Sequence, residues 1–161
     1  MNFTLLRTMV FAEIIKLQEA MVSMNEVNAG QKNLRDGHPQ FYVERVHAMS
    51  LALHLQGIYA GAERILKAVI EQVDGRIPTN EEWSHDLLEI TAADVIGVRG
   101  ALISRQTHED MKKLLAFRRL FWTTPVREVP SSLVFEMVEV AHTGIGGLVE
   151  DVRALLGPAP R

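Results

Sequence analysis

Arg118 is the residue whose position asks for a chemical explanation. At 100° per residue, Met111, Leu114, Leu115, Phe117, Phe121 and Trp122 share one broad apolar arc of a helix, and Arg118 falls near its middle. A guanidinium keeps its proton in a protein, so a place facing the core demands a carboxylate, carbonyl groups or an anionic ligand. Position alone leaves two readings. One is a snorkelling side chain or a buried ion pair with an acidic residue of a neighbouring helix; the other is an anion-binding group at a cleft between helices or subunits. The surrounding stretch is the most basic of the chain, with Arg99, Arg105, Lys112, Lys113, Arg119 and Arg127 against Glu109 and Asp110. A phosphate-bearing ligand fits here and nowhere else, although a solvated charged face accounts for the same charges.

Other chemistries are easier to set aside. The chain has no cysteine, which removes disulfides, thiolate metal ligation and thiol nucleophiles. Glu44 with His47, Glu82 with His85 and Glu139 with His142 have the Glu-x-x-His spacing of a di-metal carboxylate bundle. Such a site also needs two further core glutamates, which the apolar stripes do not carry, and Glu82 belongs to a helix start; ordinary exposed or capping histidines are the plainer reading. Gly144-Ile145-Gly146-Gly147 is no phosphate loop, since no strand precedes it and no lysine follows. No metal and no cofactor is expected.

The elements that position Arg118 come from helical periodicity. With 161 residues, 47% of them apolar, the chain suits one domain over 1–161 with a sizeable core. The net charge of -3 neither demands nor excludes a nucleic-acid partner. Phe3, Leu6, Val10, Ile14, Leu17, Met21 and Met24 step by three or four and predict a first long helix, followed by a loop over Asn25–Pro39. A second helix starts near Gln40 and carries Leu51, Leu55, Ile58, Ala62, Ile65, Val69 and Val73, with Val46 and Met49 extending the stripe upstream, and stops at Asp74-Gly75. Thr79 to Glu82 reads as a capping box for a short third helix with Trp83, Leu87 and Ile90. A fourth helix begins between Ser104 and Thr107, where Thr107 to Asp110 spells another capping box, and runs to about Trp122 before Pro125. The last, capped by Ser131 or Ser132, carries Val134, Met137, Ala141, Ile145, Leu148, Val152 and Leu155 and ends at Gly157-Pro158.

No period-two strand is found, so the expected class is all-α: an up-and-down bundle of four main helices plus one short one. Gly144, Gly146 and Gly147 inside the last helix point either to close approach by another helix, from the same or a second subunit, or to a kink. Arg7, Glu13 and Lys16 interrupt the apolar start, no small-residue cleavage site follows, and no other stretch reads as long enough for a membrane span. A reducing, cytoplasmic setting is expected.

Five fragments occur in a telling order: Tyr59-x-Gly61-x-Glu63, Asp74-Gly75-x-x-Pro78, Trp83-x-His85-x-Leu87-Leu88, Arg99-x-x-Leu102-Ile103-Ser104, and Phe117-Arg118. Through them the segment from Leu51 to Phe121, nearly half of the chain, resembles one branch of the HepT-like proteins of the HEPN class. The resemblance implies an HEPN-like bundle and a homodimeric, metal-independent ribonuclease of a prokaryotic toxin–antitoxin pair, whose partner is a small nucleotidyltransferase antitoxin. The family motif is Phe-Arg, then His after four residues, then Tyr two positions on. By resemblance Arg118 is the arginine that binds the scissile phosphate, the histidine moves protons at the ribose 2′-hydroxyl and the leaving oxygen, and the tyrosine is modified with AMP by the antitoxin in some pairs.

Two motif positions depart from that pattern. Thr123 stands where the histidine belongs and Pro125 where the tyrosine belongs. Threonine does not titrate near neutral pH, so a contribution of roughly two to four powers of ten in rate is missing. Proline offers no hydroxyl and ends the helix. The expected site therefore comprises Arg118 and Thr123, with Arg119, Arg105 and Arg99 as phosphate or RNA contacts. His85 or His108 is the substitute base if one is supplied from elsewhere in a dimer. Either the chain is a ribonuclease toxin with a degraded motif, or it is an inactive module binding RNA, a nucleotide or the nucleotidyltransferase.

Overall fold

The computed structural model describes residues 3–30 and 40–157. Five helices follow one another: α1 (Phe3–Gly30), α2 (Gln40–Asp74), α3 (Trp83–Ala92), α4 (Arg105–Thr123) and α5 (Ser131–Leu156), with a 3-10 turn at Val126–Glu128. The all-α bundle of four long helices and one short one is the architecture that periodicity predicts. Among the described residues the sole β feature is an isolated bridge between Val95 and Arg99.

α2 is the hub. It packs along α1 on one side and along α5 and α4 on the other, while α3 closes one end against α4 and α2. Leu51, Leu55, Ile58, Ala62, Ile65 and Val69 are all buried, as the stripe requires. Each fully buried leucine or isoleucine contributes about 1.5–3 kcal/mol over its exposed state. Upstream the stripe runs through Val43, His47 and Ala48 instead of Val46 and Met49; Val46 is exposed. Ala48, His47 and Val43 lie three, four and eight residues before Leu51 and so on its face of the helix, while Val46 lies on the adjoining outer face.

Helix ends depart from expectation in three places, and α4 starts within the expected bounds but with Ser104, not the Thr107 box, as its cap. α1 continues to Gly30, so Asn25–Gly30 is helical and only the remainder of the expected loop, 31–39, falls outside the described residues. The Thr79 box does not form: Glu82 occupies the cap position of α3 without a side-chain cap bond, and Asn80 Nδ2 donates to Asp86 Oδ2 at 2.8 Å instead. α4 is capped by Ser104, whose hydroxyl accepts the Thr107 N–H, and the Thr107 hydroxyl donates to Asp151 Oδ2 at 2.7 Å. Asp151 also accepts the Ser104 N–H at 2.8 Å, so a carboxylate from α5 binds the start of α4, where a negative charge is favoured. α5 begins at Ser131 behind Pro130, with no serine cap.

The glycines of α5 have an intramolecular reason. A Cβ on Gly144 would stand 2.9 Å from Asp110 Cβ, and one on Gly147 would stand 2.5 Å from the Thr107 hydroxyl. α4 and α5 of one chain approach closely there, while Gly146 faces open space. By length and composition α5 is apolar enough to cross a membrane, contrary to the sequence expectation. In this fold its apolar face, Val134, Met137, Ala141, Ile145, Leu148 and Val152, is buried in the core; Leu155, expected there, is exposed and Leu156 is buried in its place.

Candidate functional site

Arg118 sits on the last third of α4, where that helix crosses α2. Its Nη1 lies 3.3 Å from Glu63 Oε2, and its guanidinium carbon stands 5.4 Å from the centre of the Tyr59 ring. Glu63 and Tyr59 are four residues apart on α2 and therefore on one face, which puts a carboxylate and an aromatic ring behind the same arginine. Both are buried: Tyr59 is 1% exposed and Glu63 6%. The Arg118 side chain, in contrast, is 32% exposed. The ion-pair reading is thus realised, but only in part. One of five N–H groups meets the carboxylate, and among the described residues the other four have no hydrogen-bond partner.

Arg99 shows what a saturated arginine looks like in the same chain. Its Nε and Nη2 donate to the two oxygens of Asp74 at 2.7 and 2.6 Å, Nη1 donates to the carbonyls of Ala93 and Gly100, and Nη2 donates also to Ile90. All five N–H groups are used and the side chain is 8% exposed. The paired arginine holds the Asp74 carboxyl below its ordinary range, first by hydrogen bonding. The loop role of Arg99, pinning α2, α3 and the turn at 95–99 together, replaces the expected phosphate contact.

The other expected residues do not gather around Arg118 either. Arg105 is exposed at the opposite end of α4, about 20 Å away along the axis at 1.5 Å per residue. Arg119 is adjacent in sequence, half-exposed, and paired with Glu82 at 2.9 Å. Thr123, the last residue of α4, donates its hydroxyl to the Arg119 carbonyl at 2.8 Å and is exposed. Five residues along a helix turn the chain through about 140° and advance it about 7.5 Å, so Arg118 and Thr123 of one chain do not converge.

His108 Nε2 meets Glu89 Oε1 at 3.0 Å, about 15 Å along α4 from Arg118, and His85 lies beside the same carboxylate at 3.8 Å. Neither ring reaches the arginine within the chain. Among the described residues no three His, Asp or Glu groups are placed to hold a metal ion. His47 of the Glu-x-x-His pairs faces Asn28 at 3.1 Å and the Phe135 ring, and Glu82 faces Arg119. The di-metal alternative has no support in this arrangement.

Three residues around Arg118 escaped the helical-arc argument as site residues. Glu63 and Tyr59 were visible only as fragments of a resemblance, although an acid and an aromatic four apart within a buried stripe is itself a signal. Trp122, expected on the apolar arc, is 70% exposed one turn beyond Arg118. Tyr59 has its hydroxyl pushed up well beyond the usual range, by burial first and then by the Glu63 charge, with Arg118 and Arg119 opposing.

The fold and this site define a class: an all-helical bundle presenting one partly neutralised, partly exposed arginine near the end of its fourth helix. The family model of the HepT-like proteins matches residues 50–156, and the chain belongs to that family of the HEPN class. No curated protein and no solved structure matches it. The family match spans both halves of the central contact, since Glu63 and Arg118 both fall inside it.

Proposed function

We propose that this HepT-like protein is a component of a prokaryotic toxin–antitoxin or defence system that engages RNA phosphates through Arg118. The observation that carries the reading is the uneven use of that guanidinium: one N–H on Glu63, four left over, a third of the side chain in solvent. A guanidinium held by one edge keeps the forked geometry that phosphate oxygens accept. Trp122, exposed one turn further on, supplies a surface on which a base can stack.

Binding without efficient cleavage is the form this reading takes. Transesterification of RNA by the family's chemistry needs a proton acceptor at the 2′-hydroxyl, and Thr123 spends its hydroxyl on its own helix. We read the working unit as a homodimer in which two α4 helices approach one another and bring the arginines to one cleft. The partner in this reading is a nucleotidyltransferase-type antitoxin, and the setting is the cytoplasm. The tyrosine that such a partner would modify is absent, because Pro125 occupies its position.

The test is a ribonuclease and binding assay on the purified chain with total RNA and transfer RNA, beside Arg118→Ala. The proposal expects RNA binding that Arg118→Ala weakens about tenfold or more, with little or no cleavage. Robust cleavage abolished by Arg118→Ala would restore the active ribonuclease reading. Equal RNA binding by both forms would remove Arg118 from the site. Solution mass tests the dimer, and a strict monomer counts against the shared cleft.

A further inference from the structure

The unmet hydrogen bonds of this fold are concentrated in one place. Among the described residues, Gln56 Nε2 and Oε1, the Tyr59 hydroxyl and Glu63 Oε1 are buried side-chain atoms without a hydrogen-bond partner. Gln56, Tyr59 and Glu63 stand at i, i+3 and i+7 on α2, hence along one strip of that helix. Several other buried polar groups are satisfied: Asp110 by Thr143 and Gln106, Thr91 by carbonyls of its own helix, Arg99 completely. Buried polar atoms without partners are costly, and a cluster of four calls for an explanation. The carboxylate and the ring lie directly behind Arg118, the part-exposed side chain of the group.

We propose that Gln56, Tyr59 and Glu63 form a subsite for the ribose hydroxyls of the ligand whose phosphate Arg118 holds; this rests on the reading of Arg118 given above. The chemistry of the strip fits a sugar: Glu63 Oε1 accepts from a hydroxyl, the Tyr59 O–H donates, and the Gln56 amide does either. A hydroxyl beside a phosphate is what distinguishes ribose from deoxyribose, and a buried acceptor left unmatched by a deoxy sugar discriminates more sharply than added contact area. Glu63 then has two roles on two oxygens. Oε2 restrains the arginine, and Oε1 reads the 2′-hydroxyl.

The experiment measures affinity of the full chain for a short single-stranded RNA, its DNA counterpart, and a ribonucleoside 3′-monophosphate with its 2′-deoxy form. Wild type is expected to favour the ribo member of at least one pair by about tenfold; preference in the monomer pair identifies a free nucleotide, preference confined to the polymers an RNA chain. Tyr59→Phe and Gln56→Leu, which leave the ion pair intact, are expected to bring the ratio towards one while changing affinity for DNA less than about threefold. Glu63→Met is expected to erase the preference while raising affinity for both polymers, because the arginine loses its internal competitor. A ratio that persists in all three folded variants overturns the subsite and leaves Arg118 as a phosphate contact. Failure of wild type to bind any of the probes overturns both.

Discussion

Arg118 Nη1 lies 3.3 Å from Glu63 Oε2, and the two ends of this pair are unequally buried: the carboxylate side chain is 8% exposed, the guanidinium 32%. The inequality sets the order in which substitutions act on stability. Arg118→Ala leaves a buried carboxylate with no partner at all, at a cost of about 1–3 kcal/mol. Glu63→Gln keeps an oxygen towards the arginine, which is partly hydrated already, and costs about 1 kcal/mol or less. Urea unfolding of the two variants checks the order; the reverse order would mean that the carboxylate is not the constrained partner.

The glycines of α5 divide by what stands opposite them. Gly147→Ala would drive a methyl group against the Thr107 hydroxyl, which Asp151 holds at 2.7 Å and Ser104 at 2.8 Å. Gly144→Ala would meet Asp110 Cβ. Each is expected to destabilise by about 1–3 kcal/mol through overpacking. Gly146→Ala faces open space and is expected to stabilise by about 0.5–1 kcal/mol through helix propensity. Thermal melts of the three single variants give a sign change across adjacent positions if the close approach of α4 to α5 is right.

The Asp74–Arg99 pair makes stability fall in acid. Arg99 depresses the folded-state pKa of Asp74, so the unfolded chain takes up a proton first as pH is lowered. The stabilisation is complete above roughly pH 4, the ordinary carboxylate range, and is lost as pH falls through the lower folded value. Asp74→Asn is expected to be less stable at neutral pH and to lose part of the acid slope below about pH 4. A wild-type slope in Asp74→Asn, measured by urea unfolding from neutral pH downwards, would contradict this.

His47 acts in a higher window. Burial lowers its folded-state pKa below the ordinary 6.5, so its neutral form belongs to the fold, and the unfolded chain binds the proton more readily. The stability it provides is present above about pH 6.5 and is lost progressively as pH falls below that value. His47→Asn is expected to flatten the stability profile between about pH 6.5 and pH 5, against a wild type that declines there. Parallel profiles for the two proteins would assign the decline to other groups.

Restoring the family's histidine tests how much of the lost chemistry is local. Thr123→His replaces a hydroxyl that bonds back to its own helix, at an exposed position, so it is expected to leave stability within about 0.5 kcal/mol of wild type. If two α4 helices share a cleft, the ring of one chain can serve the arginine of the other, and RNA cleavage by the double variant Thr123→His with Pro125→Tyr is expected to exceed wild type by at least about tenfold. Cleavage no greater than that of wild type would separate Arg118 from the transesterification geometry.

Much of this protein follows from its sequence alone. Apolar spacing of three and four residues specifies the five helices and their buried faces, because a helix in water has one way to hide such a stripe. Pro125 and Gly157 mark ends for equally local reasons, a missing N–H in one case and a backbone at φ 74° in the other. The same periodicity singled out Arg118. Tertiary structure alone decided what each arginine does. Arg99, Arg118 and Arg119 are equal in charge along the chain, yet Arg99 is consumed by Asp74 and three carbonyls, Arg119 turns to Glu82, and Arg118 meets Glu63 with most of its donors to spare. Periodicity carries no information about such pairings, since a salt bridge depends on which helices cross and where, over 25 to 55 residues of intervening chain. Gly144 and Gly147 teach the same lesson: a sequence shows that a side chain is missing, and only the packed helices show which neighbour needs the space.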